Sequence, residues 1–411
     1  MSQLYGVCRK ASLHVARFSP WPVLPALCIS VQKEEVMTRF NLVLCTVALL
    51  IAGCPVSTAT TYYFVGNCHP GSYKTIGDAI ANAAAGSSIQ ICPGTYPEQL
   101  FITKPMTLHG MTNNNVSDTV IAIPAGGLAT ESSLYITTGL APQIEILADG
   151  VTISNLTVDG TAGSSNCPDA SDYAGIMFAA GSSGTINQVA VLNQACNGGG
   201  IGILAENGAG TERTVTIQGG SVRNSQYISV VGYSNQPTST LTLNFQNNNV
   251  VTGSFWAILM AGSVGGTISH NTVTQANYSI YWNSTATGTI SNNLIYYDIY
   301  GIEVARGQPT VTGNTIAGAL GVGIEASGGK ITSNYIVNTM DTGMNILSNT
   351  VTVQANHIAN APREGISFNC NSPVLSGNFI TDTPIGIDKV PASYSGTNMF
   401  SNVATERSGG C

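Results

Sequence analysis

The sequence predicts an all-β protein, a single-stranded parallel solenoid, on three observations. A phrase recurs about every 22 residues, the composition favours strands and turns, and charge is scarce. Each phrase alternates apolar and polar residues into an Asn and continues as a short apolar strand. After a loop it reaches Gly-Ile-x-apolar. Its copies centre on Asn271, Asn293, Asn314, Asn334, Asn356 and Asn378, spaced 22, 21, 20, 22 and 22 residues apart. Asn249 and Asn398 are outlying members that fit more loosely. A unit this short cannot bury its own apolar face, so successive coils must stack, with strand rows about 4.8 Å apart. The recurrent Asn suits a turn, because Asn tolerates left-handed geometry and its amide can bond the turns above and below.

Composition excludes the main alternatives. Of 411 residues, 43% are apolar, 9% are charged and 46 are Gly, unlike a disordered chain or a coiled coil. With 14 Lys and Arg against 21 Asp and Glu, the net charge is −7. That leaves no basic footprint for nucleic acid.

The N-terminal region differs from the rest. Residues 1–36 lack periodicity and read as an over-extended start or an unstructured extension. Residues 37–59 read as a signal peptide: Met37-Thr38-Arg39, then an apolar run from Leu42 to Ala52, then small residues. The run is too short to span a membrane comfortably. Two maturation routes stay open, a lipid anchor on Cys54 or cleavage after Ala59. Either route exports the protein, as a secreted or envelope-associated chain. The solenoid is then expected over residues 60–405, with a tail at 406–411 and a monomeric state. Six cysteines remain, an even number, and none has zinc-ligand spacing. Coil phase pairs Cys167 with Cys196; Cys68 and Cys92 flank the first helix, leaving Cys370 for Cys411.

The opening of the solenoid carries a family resemblance. Tyr73-Lys-Thr-Ile-Gly-Asp-Ala-Ile80 is followed by Gly86-Ser-Ser-Ile-Gln-Ile-Cys92-Pro-Gly-Thr-Tyr96-Pro-Glu98 and then Ile102-Thr-Lys-Pro-Met-Thr-Leu-His-Gly110. This resembles the pectate-lyase superfamily, carbohydrate-associated right-handed parallel β-helices with a short N-terminal capping helix. Thr75 and Asp78 have capping-box spacing, and Ile76, Ala79, Ile80 and Ala83 form one apolar helix face. Gly94-x-Tyr96-x-Glu98 is similar to a pectinesterase opening, but the later motifs of pectinesterases, polygalacturonases and alginate epimerases are absent. Glu98 therefore reads as part of a structural turn.

The resemblance implies that the strand after Gly-Ile lies in the first sheet, whose outer face holds the cleft in the family's enzymes. The outward position, read coil by coil, gives Met177, Leu204, Ser229, Leu259, Tyr281, Glu303, Glu325, Asn345, Ser367 and Asp388. Glu303 and Glu325 fall on successive coils, so they are the candidate catalytic pair, with Arg306 and Arg363 as charge partners. Two such carboxylates suit a glycoside hydrolase, a lyase or a calcium site. Calcium at Glu303 and Glu325 is the one cofactor that this column suggests. Tyr281, Tyr300, Asn345, Asp341 and Asp388 are the ligand-binding candidates, for a polysaccharide or cell-envelope glycan. Two functions follow: an exported enzyme acting on polysaccharide, or a non-catalytic glycan-binding or scaffold protein of the cell surface.

Overall fold

The computed structural model describes residues 60–111, 116–161, 172–196, 199–238, 240–392 and 394–411. The readings of residues 1–36, the signal peptide and Cys167 lie outside the described residues. In those described, nearly every element is a short strand, and every strand-to-strand ladder is parallel. A 13-stranded sheet takes one strand from each coil. A 22-stranded sheet takes the other two rows, because strands such as Val250–Gly262 and Thr272–Ser284 run round the corner between them. The row carrying Gly-Ile is called the first sheet, the 13-stranded row the second, and the row after the Asn turn the third.

One apolar column per row fills the interior. Ile258, Ile280, Ile302 and Ile324 stack on the first sheet, and Ile268, Ile290, Val311 and Ile331 on the second. All are fully buried. Each buried aliphatic side chain of this kind contributes about 1.5–3 kcal/mol. The Gly before the inward Ile has a steric cause. A Cβ at Gly323 would lie 2.6 Å from Ile336 Cγ2 and 2.7 Å from the Gly343 carbonyl.

The recurrent Asn forms a continuous amide ladder. Nδ2 of Asn271 donates to Oδ1 of Asn293 at 3.1 Å, and the pattern repeats from Asn293 to Asn314 and from Asn314 to Asn334 at 2.9 Å. Each backbone N–H donates to the same Oδ1, and each Nδ2 also reaches a carbonyl, as Asn314 does to Ile290 at 2.9 Å. Asn249, which fits the sequence repeat loosely, is a full member of this ladder, and Asn398 ends it, accepting from Asn378 while its Nδ2 donates to the Tyr394 hydroxyl. The left-handed residue is not the ladder Asn but the one before it: His270, Asn292, Gly313, Ser333, Ala355 and Gly377 all have positive φ. The ladder Asn serves instead to satisfy buried turn groups that water cannot reach.

The N-terminal end is closed by helix α1 (Ile76–Asn82), which buries Ile76, Ala79 and Ile80. Thr75 Oγ1 accepts from Asp78 N at 3.1 Å, as the capping-box spacing predicts. Glu98 does more than occupy a turn, since its carboxylate accepts from the first two helical N–H groups, Ile76 at 2.9 Å and Gly77 at 2.8 Å. It takes the orphan donors that every helix start leaves over. Disulfides join Cys68 to Cys92 and Cys370 to Cys411, and Cys196 is also disulfide-bonded. Among the described residues no helix is long and apolar enough to cross a membrane.

Candidate functional site

Strand register fixes the outward column of the first sheet. It runs Glu145, Met177, Leu204, Val231, Leu259, Tyr281, Glu303, Glu325, Asn345, Ser367 and Asp388. One member of the sequence column is displaced. Ile228-Ser229 mimics the start of a Gly-Ile strand, but Ser229 takes the Gly slot and Val231 points outward. From Leu259 onward the sequence alignment and the register agree.

Glu303 and Glu325 are direct neighbours in the ladder. Their backbones are therefore one strand spacing apart, about 4.8 Å. Burial, and then the charge of Glu325, push the Glu303 carboxyl up to about 7. Glu325 Oε2 accepts a hydrogen bond from Asn345 Nδ2 at 2.8 Å. Asn345 in turn accepts from Asn369, whose own Oδ1 accepts from Lys389 Nζ at 3.2 Å. A polar chain thus holds Glu325 from the C-terminal side.

On the N-terminal side of Glu303 stands a group of rings. Tyr278 stacks on Tyr300 with centroids 4.9 Å apart and planes within 5°. Tyr281, directly beside Glu303 in the column, lies 5.8 Å from Tyr278 and stacks on Trp256 at 6.1 Å. Phe255 and Tyr227 continue the group. Burial, then Glu303, raises the hydroxyl pKa of both Tyr278 and Tyr281 above the ordinary tyrosine value. Both hydroxyls therefore remain neutral donors near pH 7. Trp282, by contrast, points inward and is fully buried.

The two arginines take different places. Arg363 is not a partner of the glutamates: its Nη1 is 3.0 Å from Asp341 Oδ1 and its Nε 3.7 Å from Glu364 Oε2. Asp341 is thereby tied to an ion pair at the edge of the first sheet. Arg306 is exposed and forms no ion pair among the described residues. A β-bulge after Val304 moves it into register with Asn283, and its charge is felt by Tyr281. Asp388 ends the column, next to Ser367.

Calcium at Glu303 and Glu325 would need oxygen ligands beyond these two carboxyls. That cation takes six to eight oxygen ligands. Among the described residues no group of three or more His, Cys, Asp or Glu side chains is placed to hold a metal, and one Glu325 oxygen is already engaged by Asn345.

Sequence reasoning missed the other half of this face. Met177 and Leu204 are fully buried and Leu259 is 3% exposed, so these outward residues do not form an open apolar surface. The segment 128–139 lies over them, packing Tyr135 and Ile136 against this second apolar cluster. Glu206, 2% exposed, latches that segment by accepting from Ser133 Oγ and Leu134 N at 2.9 Å and Tyr135 N at 3.2 Å. Beneath it, burial, then Glu131 and Glu206, push Glu145 up to about 7. The signal was the long stretch between the coil of Thr119–Ala122 and that of Leu140–Ile146, far more than a turn requires.

Comparison with known proteins agrees with this architecture. A family model described as a right-handed β-helix region matches residues 256–404. The chain is a right-handed parallel β-helix protein. This β-helix is similar in structure to a lacto-N-biosidase from Eubacterium ramulus, with TM-score 0.54 and 10% identity over 84% of this chain and 68% of that one. It is also similar to an alginate lyase in complex with a trisaccharide, with TM-score 0.50 and 12% identity over 84% and 85%. A pectin methylesterase from Aspergillus niger aligns at TM-score 0.41 and 14% identity over 63% and 85%. No curated protein sequence matches the chain.

Proposed function

We propose that this β-helix protein is an exported glycoside hydrolase that binds a glycan along the outer face of its first sheet. The observation that carries the reading is the adjacent register of Glu303 and Glu325, with Tyr281 beside Glu303. Carboxyls about 5–5.5 Å apart suit a retaining mechanism, in which one protonates the leaving oxygen and the other attacks the sugar carbon. A carboxyl raised to about 7 carries a proton in roughly half the molecules at neutral pH, which suits Glu303 to be the acid. Glu325, its carboxylate oriented by Asn345, is then the nucleophile. Glu303 gives its proton to the departing sugar oxygen as Glu325 forms a glycosyl ester. Glu303 then takes a proton from the water that hydrolyses this ester. Tyr278, Tyr281 and Tyr300 supply ring faces on which sugars stack.

Hydrolysis is preferred to elimination on a uronate because Arg363, the second cation foreseen for it, is committed to Asp341 and Glu364. Two of the structural relatives act on or bind glycans by name, a biosidase and an alginate lyase, which supports the substrate class. The disulfides support an oxidising compartment.

A second reading is a non-catalytic glycan-binding protein, favoured by the same group of rings. A panel of neutral and acidic glycans separates the two, with reducing ends and unsaturated products followed together. Glu303→Gln and Glu325→Gln are each expected to lower turnover at least about 1000-fold while glycan binding survives. Binding without turnover by the wild type would leave the second reading, and unsaturated products would replace hydrolysis with elimination. Mass spectrometry of the N-terminus from the native host tests export, which an intact Met1 would refute.

A further inference from the structure

This inference rests on the reading above and concerns which part of a glycan the site accepts. The outer face of the first sheet changes abruptly along the solenoid. Glu303 and Tyr281 are half-buried, yet one coil further toward the N-terminus Leu259 is only 3% exposed, and Leu204 and Met177 are fully buried. Tyr135 and Ile136 of the 128–139 segment pack on this apolar column together with Tyr227, Tyr233, Trp256 and Tyr281, and the segment is fastened rather than draped. Glu206 holds it by three hydrogen bonds, and Tyr135 sets its ring 5.3 Å from that of Tyr233. Tyr233 lies on the coil before that of Leu259, so the cover reaches to within two coils of Tyr281. In the other direction Glu325, Asn345 and Asp388 are all half-exposed, and no comparable segment packs over them among the described residues.

We infer that the cleft is blind on its Tyr281 side, so that the protein accepts the end of a glycan chain and releases a unit of at most three sugars. The length follows from the geometry. Between Glu303 and the coil of Val231 and Tyr233, which the latched segment reaches, there are three strand rows, roughly 14 Å, which holds about three pyranose rings. A polymer threading the cleft in both directions would have to displace the latched segment and expose the apolar cluster beneath it.

The test follows product length on a glycan that the wild-type protein cuts, using the polymer and a series of end-labelled oligosaccharides. The expected result is release of products no longer than a trisaccharide from the earliest times, with polymer viscosity falling only as fast as mass is lost. Glu206→Ala removes the latch and is expected to increase tetrasaccharide and longer products about tenfold. Wild-type viscosity decides the matter even if that variant does not fold. Early products of mixed length with a rapid viscosity drop would overturn the blind cleft and leave the hydrolase reading intact. A wild-type protein that neither binds nor cuts any glycan would overturn both.

Discussion

The two halves of this solenoid share one backbone plan but satisfy their turns and cover their faces differently. From Asn249 onward, coils of 20–22 residues place an Asn at the same turn, and the amides bond each other in file. In the earlier coils the same slot holds Leu156, Val189 and Gly220. The ladder ends where Gly220 offers only its backbone N–H, which donates to Asn249 Oδ1 at 3.0 Å. The outer face divides in parallel. The earlier coils carry a long insertion that buries an apolar column, whereas the later coils leave a polar, acidic column at solvent. A regular turn thus accompanies an open face, and the loop insertions of the irregular half make the closed one.

The sharpest way to break this contrast is to exchange the turn residues. Asn314→Ala leaves the backbone N–H of Asn293 without its acceptor, removes one of the two acceptors of Asn293 Nδ2, and leaves Asn334 Oδ1 and the Ile290 carbonyl without their Nδ2 donor. It is expected to cost about 3–4 kcal/mol in denaturant unfolding, since each buried unsatisfied group costs roughly 1–3 kcal/mol. Val189→Asn, which buries an amide where no file exists, is expected to cost about 3 kcal/mol by the same rule. A neutral Asn314→Ala would mean that water replaces the ladder.

Releasing the cover is a smaller perturbation. Glu206→Ala leaves the Leu134 N–H and the Ser133 hydroxyl without their acceptor, while the Tyr135 N–H keeps Ser133 Oγ, and is expected to cost about 2 kcal/mol. Proteolysis should then cut first within 128–139, while the later coils stay protected.

The buried carboxyls give a pH dependence of defined sign. Glu145 is raised to about 7 in the fold, so the fold binds a proton that the unfolded chain has released. Its stabilising contribution is complete below the ordinary carboxylate range and is lost as pH rises through about 7. Glu145→Gln should therefore stabilise by about 1–2 kcal/mol at pH 8 and have little effect at pH 4, read as thermal midpoints. Stability of the variant that fell with rising pH as steeply as in the wild type would assign the titration to other groups. On the open face the sign is the same but the group is half-exposed, so Glu303→Gln should stabilise by only about 1 kcal/mol at pH 8 and have little effect at pH 4.

Much of this was legible because a solenoid is nearly one-dimensional. Period, inward Ile and ladder Asn all follow from local spacing, since each coil meets only its neighbours. For the same reason Glu303 and Glu325 could be placed side by side from their shared phase. The alignment slipped at Ser229, where the coil lacks its Gly and the neighbouring strand set the register. It also assigned Arg363 to the glutamates, although Asp341 one coil away competes for the same guanidinium.

The sequence by itself determined the coil, the stacking direction, the buried columns, the cap and the phase of the acidic pair. These depend on contacts between residues about one repeat apart. Tertiary structure alone decided that 128–139 folds over the first sheet and that Glu206, some 70 residues later, holds it there. It also decided that Glu303 rather than an isolated surface glutamate has a raised carboxyl. Such features depend on which surface a non-repeating loop covers and how much water it displaces, and neither is encoded in a local period.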